Sequence, residues 1–534
     1  MLSTPTSLQY VPDVMPNNAL RAAVPAVSTR RCASVARRIL LLAALLFAGG
    51  FAQGQQPAVS PFDYGLREAQ SDTARYTALL RAHNAAISAG VDVDYTGIDS
   101  IYIEVPQGAP TIPLTRHNDF KGCTFFVLNR EKDNVLFGMT QPTPRIALDK
   151  ALVDQGDFGG MEALNKGWML LILYDRHPWV AQRIGYGYPF ERRDVLLLHD
   201  GKAVNSVVAS YNTDSTALEA YFCKVDTIRK TIENITIVRD KRCTYKSYCF
   251  NIIGQDNVLL RNISITTPKS RLTADGAIIA QNATRIALED VTIDGTYSAP
   301  QKYGYGVSMN NVWGASFTRL KADGKWGVFG TNNMSGTLLR ECDVNRFDIH
   351  CYGRDARFIG CTFRGKQTQF SSMYGTVVFD SCLFADCIPV RIRASYNAYT
   401  PFDIVMRNCS FDATRRHHAL VNVMLLDTAL NARPELAEKC WPNLRVENLT
   451  VNILSGPRRL DLYEPTGTLS ECSKPVAYIS KVQVDTLAML RKGKPAEATL
   501  HVFSHPVATK GIVEQAVDNI SGVAKVEFGI PKEQ

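Results

Sequence analysis

Short stretches of strictly alternating apolar and polar residues recur along the chain. Glu233-Asn234-Ile235-Thr236-Ile237 returns as Arg261-Asn262-Ile263-Ser264-Ile265 and again as Glu289-Asp290-Val291-Thr292-Ile293. Weaker copies surround Leu320, Cys342, Cys361, Cys382, Cys409 and Leu449, and an early copy surrounds Cys123. Alternation at period two is the signature of a strand with one buried face; the 3.6-residue period of an amphipathic helix is absent from these stretches. The central apolar residues are 28, 28 and 29 residues apart at first, then 19 to 27 apart, and finally 40 apart. Strands repeating at this spacing without intervening helices predict a solenoid whose loops differ in length from coil to coil.

In such a solenoid each strand pairs with its copy one turn on, about 4.8 Å away. The central positions then stack as one column in which Cys342, Cys361, Cys382 and Cys409 follow one another. Neighbours in a parallel ladder sit too far apart for a relaxed disulfide, so these four are expected to be free thiols filling the core. Cys243 with Cys249 and Cys440 with Cys472 are the expected disulfide pairs.

Ser71-Asp72-Thr73-Ala74 opens a helical stretch to about Ala89, and Ile101 to Val105 reads as a strand ending in Pro106-Gln107-Gly108. This order resembles the entry of the pectate-lyase/polygalacturonase superfamily, where an Asp-Thr-Ala helix caps the solenoid before a strand that ends in Pro-x-Gly. The resemblance implies a right-handed parallel β-helix, an all-β solenoid with an N-terminal capping helix, over residues 60–455. Residues 130–230 have poorer periodicity and are expected to hold inserted loops. Residues 456–534 are expected to form a β-rich C-terminal cap.

Composition fits a folded chain: of 534 residues, 46% are hydrophobic and 21% charged, with a formal net charge of +8. No Lys/Arg run accompanies that excess, so nucleic acid is not an expected partner. Arg30, Arg31, Arg37 and Arg38 precede the apolar run Ile39 to Ala48, and Ala52-Gln53-Gly54 follows. This is the pattern of a secretory signal peptide, so residues 1–54 are expected to be leader and the protein secreted or periplasmic. No later stretch predicts a transmembrane segment. The apolar run is not followed by a cysteine for lipid attachment. Export makes disulfides possible.

A second aligned strand set precedes the first in each coil. Its alternation turns Val307, Val328, Ile349, Val390 and Ile392 inward. It turns Ser308, Asn310, Thr331, Asp348, His350, Tyr352, Arg391 and Arg393 outward. Imidazole, phenol and guanidinium groups on adjacent rungs suit β-elimination on a uronate polymer. That reaction needs the carboxylate neutralised, a base for the C5 proton and a donor for the leaving oxygen. His350 or Lys325 would be the base and Tyr352 the donor, while Arg354, Arg391 and Arg393 would grip carboxylate or sulfate. Asn310, Asn332 and Tyr374 lie along the same stripe. Trp326 and Tyr396, with Tyr297, Tyr303, Tyr305, Trp313 and Tyr399, could stack on sugar rings.

Thr273-Ala274-Asp275-Gly276 and Arg391-Ile392-Arg393 are similar to polygalacturonase motifs. That family's adjacent Asp pair and Gly-His-Gly are missing, which disfavours hydrolysis by its mechanism. Three readings stay open: a polysaccharide lyase on an anionic glycan, a glycoside hydrolase on the same fold, and a non-catalytic glycan-binding solenoid. No cofactor or dedicated metal site is required by the residues, although a groove carboxylate could take Ca²⁺. A monomer is expected.

Overall fold

The computed structural model describes residues 58–527 apart from 131–133, 176–191, 210, 212–217, 244–247, 268–275, 296–304, 323–326, 351, 366, 372, 394–401, 416, 425–441, 456–458, 467–475, 478–480, 504–507 and 510–513. The expected leader, residues 1–54, therefore lies outside the described residues, as do Cys440 and Cys472. So do Lys325, Trp326, Tyr297, Tyr303, Tyr396 and Tyr399 among the expected site residues.

The repeat motif forms a parallel β-helix. Ile235 pairs with Ile263 and Ile263 with Val291, each one coil on. Cys409 pairs with Leu449 and Leu449 with Leu487 in the same column. The ladders run past residue 455: Asp461 pairs with His501 and His501 with Glu527, all parallel. One hydrophobic core threads the stack from Leu66 to Phe503. The column of central residues is buried throughout, Ile235, Ile263, Val291, Leu320 and the four cysteines included. Cys342, Cys361, Cys382 and Cys409 are free thiols. Cys382 donates to the carbonyls of Phe358 and Asp380, both at 3.4 Å. Beside the thiols, Phe358 stacks on Phe379 with ring centroids 4.7 Å apart, and Phe363 on Phe384 at 5.4 Å.

Cys243 and Cys249 are also free, contrary to the pairing expected between them. The Cys243 thiol instead donates to the Val127 carbonyl at 3.3 Å, on the neighbouring coil.

Sharp corners between strands use left-handed backbone. Asn234, Asn262, Asp290, Asn408 and Asn448 each take φ between 52° and 60° immediately before a central residue. Asn tolerates this region because its short amide bonds locally. Here the amides also bond from coil to coil: Asn262 Nδ2 donates to Asn234 Oδ1 at 2.7 Å, and Asn448 to Asn408 at 3.0 Å.

The helix Asp72–Ala89 caps the N-terminal end. Ser71 accepts from the Ala74 amide, and Gly90 closes the helix at φ 68°. Its buried face carries Tyr76, Leu79, Ala82, His83 and Ala86. His83 is wholly enclosed, with Nδ1 2.8 Å from the Pro113 carbonyl and Nε2 2.8 Å from the Tyr95 hydroxyl.

Within the region expected to hold inserted loops, described strands form a small antiparallel sheet, while Val135–Thr140 belongs to the solenoid. The strands of the sheet include Trp168–Asp175, Arg192–His199 and Leu218–Lys224. Leu171, Leu173, Leu196 and Leu198 pack on one face with Val153 and Phe158. Leu170, Ile172, Val195 and Leu197 pack on the other, where Trp313 of the solenoid joins them. Both faces are covered, so its strands read as continuous apolar runs without alternation.

Candidate functional site

The outward stripe exists, but its register differs from the expected alignment. Val307 pairs with Phe329 rather than Val328, and Asn310 pairs with Asn332. Asp348 pairs with Gln369, and Gln369 with Arg391. Arg391 pairs with Asn422, and Asn422 with Glu464. One polar row therefore runs Asp348–Gln369–Arg391–Asn422–Glu464 over five coils, about 19 Å at 4.8 Å per rung. His350 and Arg393 stand beside it, two residues beyond Asp348 and Arg391.

The register follows coils of unequal length, and the His350 coil also carries an extra residue. Three residues separate the paired positions Thr331 and Ser335, whereas four separate their partners Ile349 and Arg354. In the following coil the count between Phe370 and Tyr374 returns to three. The His350 coil thus carries a bulge between Ile349 and Arg354, a device that re-aims side chains.

Around that bulge the charges converge on one carboxylate. Asp348 is fully buried; its Oδ2 lies 2.9 Å from His350 Nε2 and is ion-paired with Arg346. Arg393 Nη1 is 4.0 Å from the same oxygen and donates to Gln369 Oε1 at 3.2 Å. Arg346 also donates to Gln369 Oε1, at 2.9 Å. The Tyr305 hydroxyl is 2.9 Å from His350 Nε2 and 3.5 Å from Asp348 Oδ2. Burial alone would raise the Asp348 pKa, but the charges of His350, Arg346 and Arg393 outweigh it and hold the group at about 2. At neutral pH this carboxylate is ionised.

Arg391 completes the cluster differently. Its Nη2 donates to the Met424 sulfur, at 3.7 Å. Its Nε is buried without a hydrogen-bond partner. Burial, then the charges of Arg393 and Arg346, lower its pKa. Among the described residues, three guanidinium groups face one carboxylate here, and the next acid along the row, Glu464, is two coils away. His350 and Arg393 keep side-chain exposures of 12% and 17%.

The expected site residues that are described fall into three groups. His350, Arg391, Arg393, Asn310 and Asn332 lie on adjacent outward rungs; Asn332 donates to Asn310 Oδ1 at 2.8 Å. Arg354 and Tyr374 instead line a cavity of ≈ 490 Å³ on the seam with the inserted sheet, together with Asn205, Ser206 and Val207. Arg354 there donates to Ser206 Oγ at 3.1 Å and the Val207 carbonyl at 3.2 Å. Tyr352 is not on the open stripe: it is 4% exposed, at φ 54°, with Arg192 of the inserted sheet 5.7 Å from its ring centre. Arg346 and Gln369 were not among the expected site residues, and Tyr305 was expected only to stack on sugar. The correct register would have exposed Gln369, since it shares a row with Asp348 and Arg391.

Further along, the stripe becomes acidic. His417 Nε2 is paired with Asp461, and its Nδ1 is 3.5 Å from Glu464 Oε1. Arg459 donates to both Asp461 oxygens, at 2.7 and 3.2 Å. Among the described residues no group of three or more His, Cys, Asp or Glu is arranged to hold a metal ion. No described helix is long and apolar enough to cross a membrane.

The strand pairing defines a parallel β-helix protein with an outward row of polar and charged side chains. No protein-family model matches the chain, and no curated protein matches it. Solved structures do. The tailspike protein gp49 of Pseudomonas phage LKA1 is similar at 12% identity and TM-score 0.47, over 85% of this chain and 81% of that one. The Gp54 tailspike of Acinetobacter baumannii bacteriophage AP22, in complex with capsular saccharide, is similar at 12% identity and TM-score 0.45, over 84% and 77%. The Streptococcus pneumoniae surface protein and adhesin PfbA is similar at 11% identity and TM-score 0.38, over 88% and 100%. The fold assignment rests on the strand pairing of this chain and not on these likenesses.

Proposed function

We propose that this chain is an extracellular carbohydrate-active protein that cleaves a uronate-containing polysaccharide by β-elimination in the His350 groove. The observation that carries the reading is Arg391, a partly buried guanidinium with an unpartnered Nε beside Arg393 and Arg346. A uronate carboxylate would satisfy it. Neutralising that carboxylate makes the adjacent C5 proton acidic, which is the electrostatic half of the reaction.

The other half is proton transfer. Ionised Asp348 accepts from His350 Nε2–H and so fixes the tautomer whose Nδ1 carries the lone pair. That nitrogen takes the C5 proton. The C4–O bond then breaks as the C4–C5 double bond forms, and the Tyr305 hydroxyl protonates the departing oxygen. Tyr305 takes the donor role that sequence assigned to Tyr352. Hydrolysis needs a protonated carboxyl as general acid, and Asp348, held at about 2, is ill suited to that role. The five-coil row from Asp348 to Glu464 gives room for a polymer rather than a single sugar. The likeness of the N-terminal segment to pectate-lyase-type solenoids agrees with this reading.

The test is a polymer screen: alginate, pectin, hyaluronan, chondroitin sulfate and heparin, each followed for unsaturated ends by ultraviolet absorbance. At least one should yield them. New reducing ends without unsaturation would replace this reading with hydrolysis. Retained binding with neither product would leave a glycan-binding solenoid.

A further inference from the structure

The corner that follows His350 departs from its neighbours in a way that bears on the site. Gly254, Asn282, Asn311 and Asn333 occupy the equivalent corner in four coils, with φ from 51° to 66°. Their partners fix this column: Ile253 pairs with Gln281, Gln281 with Asn310, and Asn310 with Asn332, one residue before each corner. Asn311 Nδ2 donates to Asn282 Oδ1 at 2.8 Å, which links two of these corners. Ser335 pairs with Arg354, which puts Tyr352 at the next corner.

A tyrosine is an unfavourable choice there. It lacks the short amide that eases left-handed backbone. Strained conformations of this kind persist only where surrounding structure over-determines them. The surrounding structure is the inserted sheet. Arg192, 2% exposed, sits 3.7 Å over the centre of the Tyr211 ring and 5.7 Å from that of Tyr352. Asp194 holds it, with Oδ2 3.4 Å from Arg192 Nε and 2.7 Å from the Tyr211 hydroxyl that donates to it. On the other side, Gly353 packs closely: a Cβ there would lie 2.6 Å from Met373 Sδ and 2.8 Å from Ile349 Cγ2.

We infer that the inserted sheet sets the aim of His350, with Arg192 clamping the Tyr352 ring and Tyr352 fixing the shape of the bulge. Tyr352 is thus a positioning residue, acting through its ring and its backbone conformation and not through its hydroxyl. The inference rests on the His350 groove being the active site, but the clamp itself can be read without substrate.

Two variants separate the roles. Tyr352→Phe keeps the ring. Tyr352→Asn restores the residue that the neighbouring coils use and so should fold. Tyr352→Phe is expected to keep kcat within about twofold. Tyr352→Asn is expected to lower kcat at least tenfold with KM little changed, and to move the His350 imidazole signals in nitrogen-15 NMR spectra of the free protein. Equal loss in both variants would overturn the inference in favour of a proton-donating phenol. Unmoved His350 signals in Tyr352→Asn would overturn it whatever the activity. If no polymer is cleaved, the NMR comparison still decides the clamp, while the failed screen counts against the proposed reaction alone.

Discussion

Two columns of the same coils, built at the same rung spacing, are held in opposite ways. The inner column runs Leu320, Cys342, Cys361, Cys382, Cys409, Leu449; the outer runs Asp348, Gln369, Arg391, Asn422, Glu464. The inner residues are all apolar in character, and each is buried. The outer residues share neither charge nor size, and they are tied into the groove by ion pairs and hydrogen bonds. An inner column specified by volume tolerates exchange among Ile, Val, Leu and Cys. An outer column specified by charge partners tolerates little exchange, and at Arg391 it leaves a buried Nε without a hydrogen-bond partner.

The largest expected effect separates the columns by activity. Replacing His350 by Ala should lower kcat by on the order of 10²- to 10⁴-fold, the usual worth of a general base, with the melting temperature nearly unchanged. Steady-state kinetics beside thermal unfolding checks both halves. Full turnover in this variant would remove the outer column from the chemistry.

The reverse pattern is expected from Phe358→Ala. Phe358 is fully buried and stacks on Phe379 of the next coil, so its loss should destabilise by about 3–5 kcal/mol. Denaturant unfolding measures this, and activity per folded molecule should stay at the wild-type level. A smaller step, within the inner column itself, is Cys382→Ala, expected to destabilise by about 1 kcal/mol. Thiol reagents should label none of the four ladder cysteines until the protein unfolds. Rapid labelling of the native state would mean that the inner column is not closed core.

Acid should act on two buried histidines and on the outer column in different windows. Burial lowers the His83 and His418 pKa values from 6.5 to about 4. Each is kept neutral in the folded state, so its contribution is intact above pH 6.5 and declines as pH falls from there towards 4. Asp348 is depressed from 3.8 to about 2, so its contribution is intact above pH 3.8 and is lost only below that. Melting temperature against pH should therefore begin to fall near 6.5, and His83→Gln should flatten that limb. A flat curve down to pH 4 in the wild type would contradict the enclosure of both histidines.

Much of this architecture is legible in the residues alone. Repeated alternation marks the coils, and the spacing of a parallel ladder implies free thiols at Cys342, Cys361, Cys382 and Cys409. The helix at Asp72–Ala89 follows from its Ser71 cap and closing glycine. His350, Arg391 and Arg393 are recognisable as one outward stripe. Three features are not legible in that way. The inserted sheet has runs buried on both faces, so neither alternation nor repeat marks its strands. The coils differ in length, the His350 coil carrying one extra residue, so the alignment of the rows shifts and Gln369 is hidden. Tyr352 reads as outward by alternation, but the covering surface comes from Arg192, some 160 residues earlier in the chain.

The decisive experiment is a crystal structure of the His350→Ala variant with an oligosaccharide of the uronate polymer that the wild type degrades. A sugar carboxylate is expected within hydrogen-bonding distance of Arg391 and Arg393, with the glycan running along the row from Asp348 towards Glu464. An oligosaccharide bound on another face, or seated in the seam cavity beside Arg354 and Tyr374 with the groove empty, would contradict a uronate-cleaving site at His350.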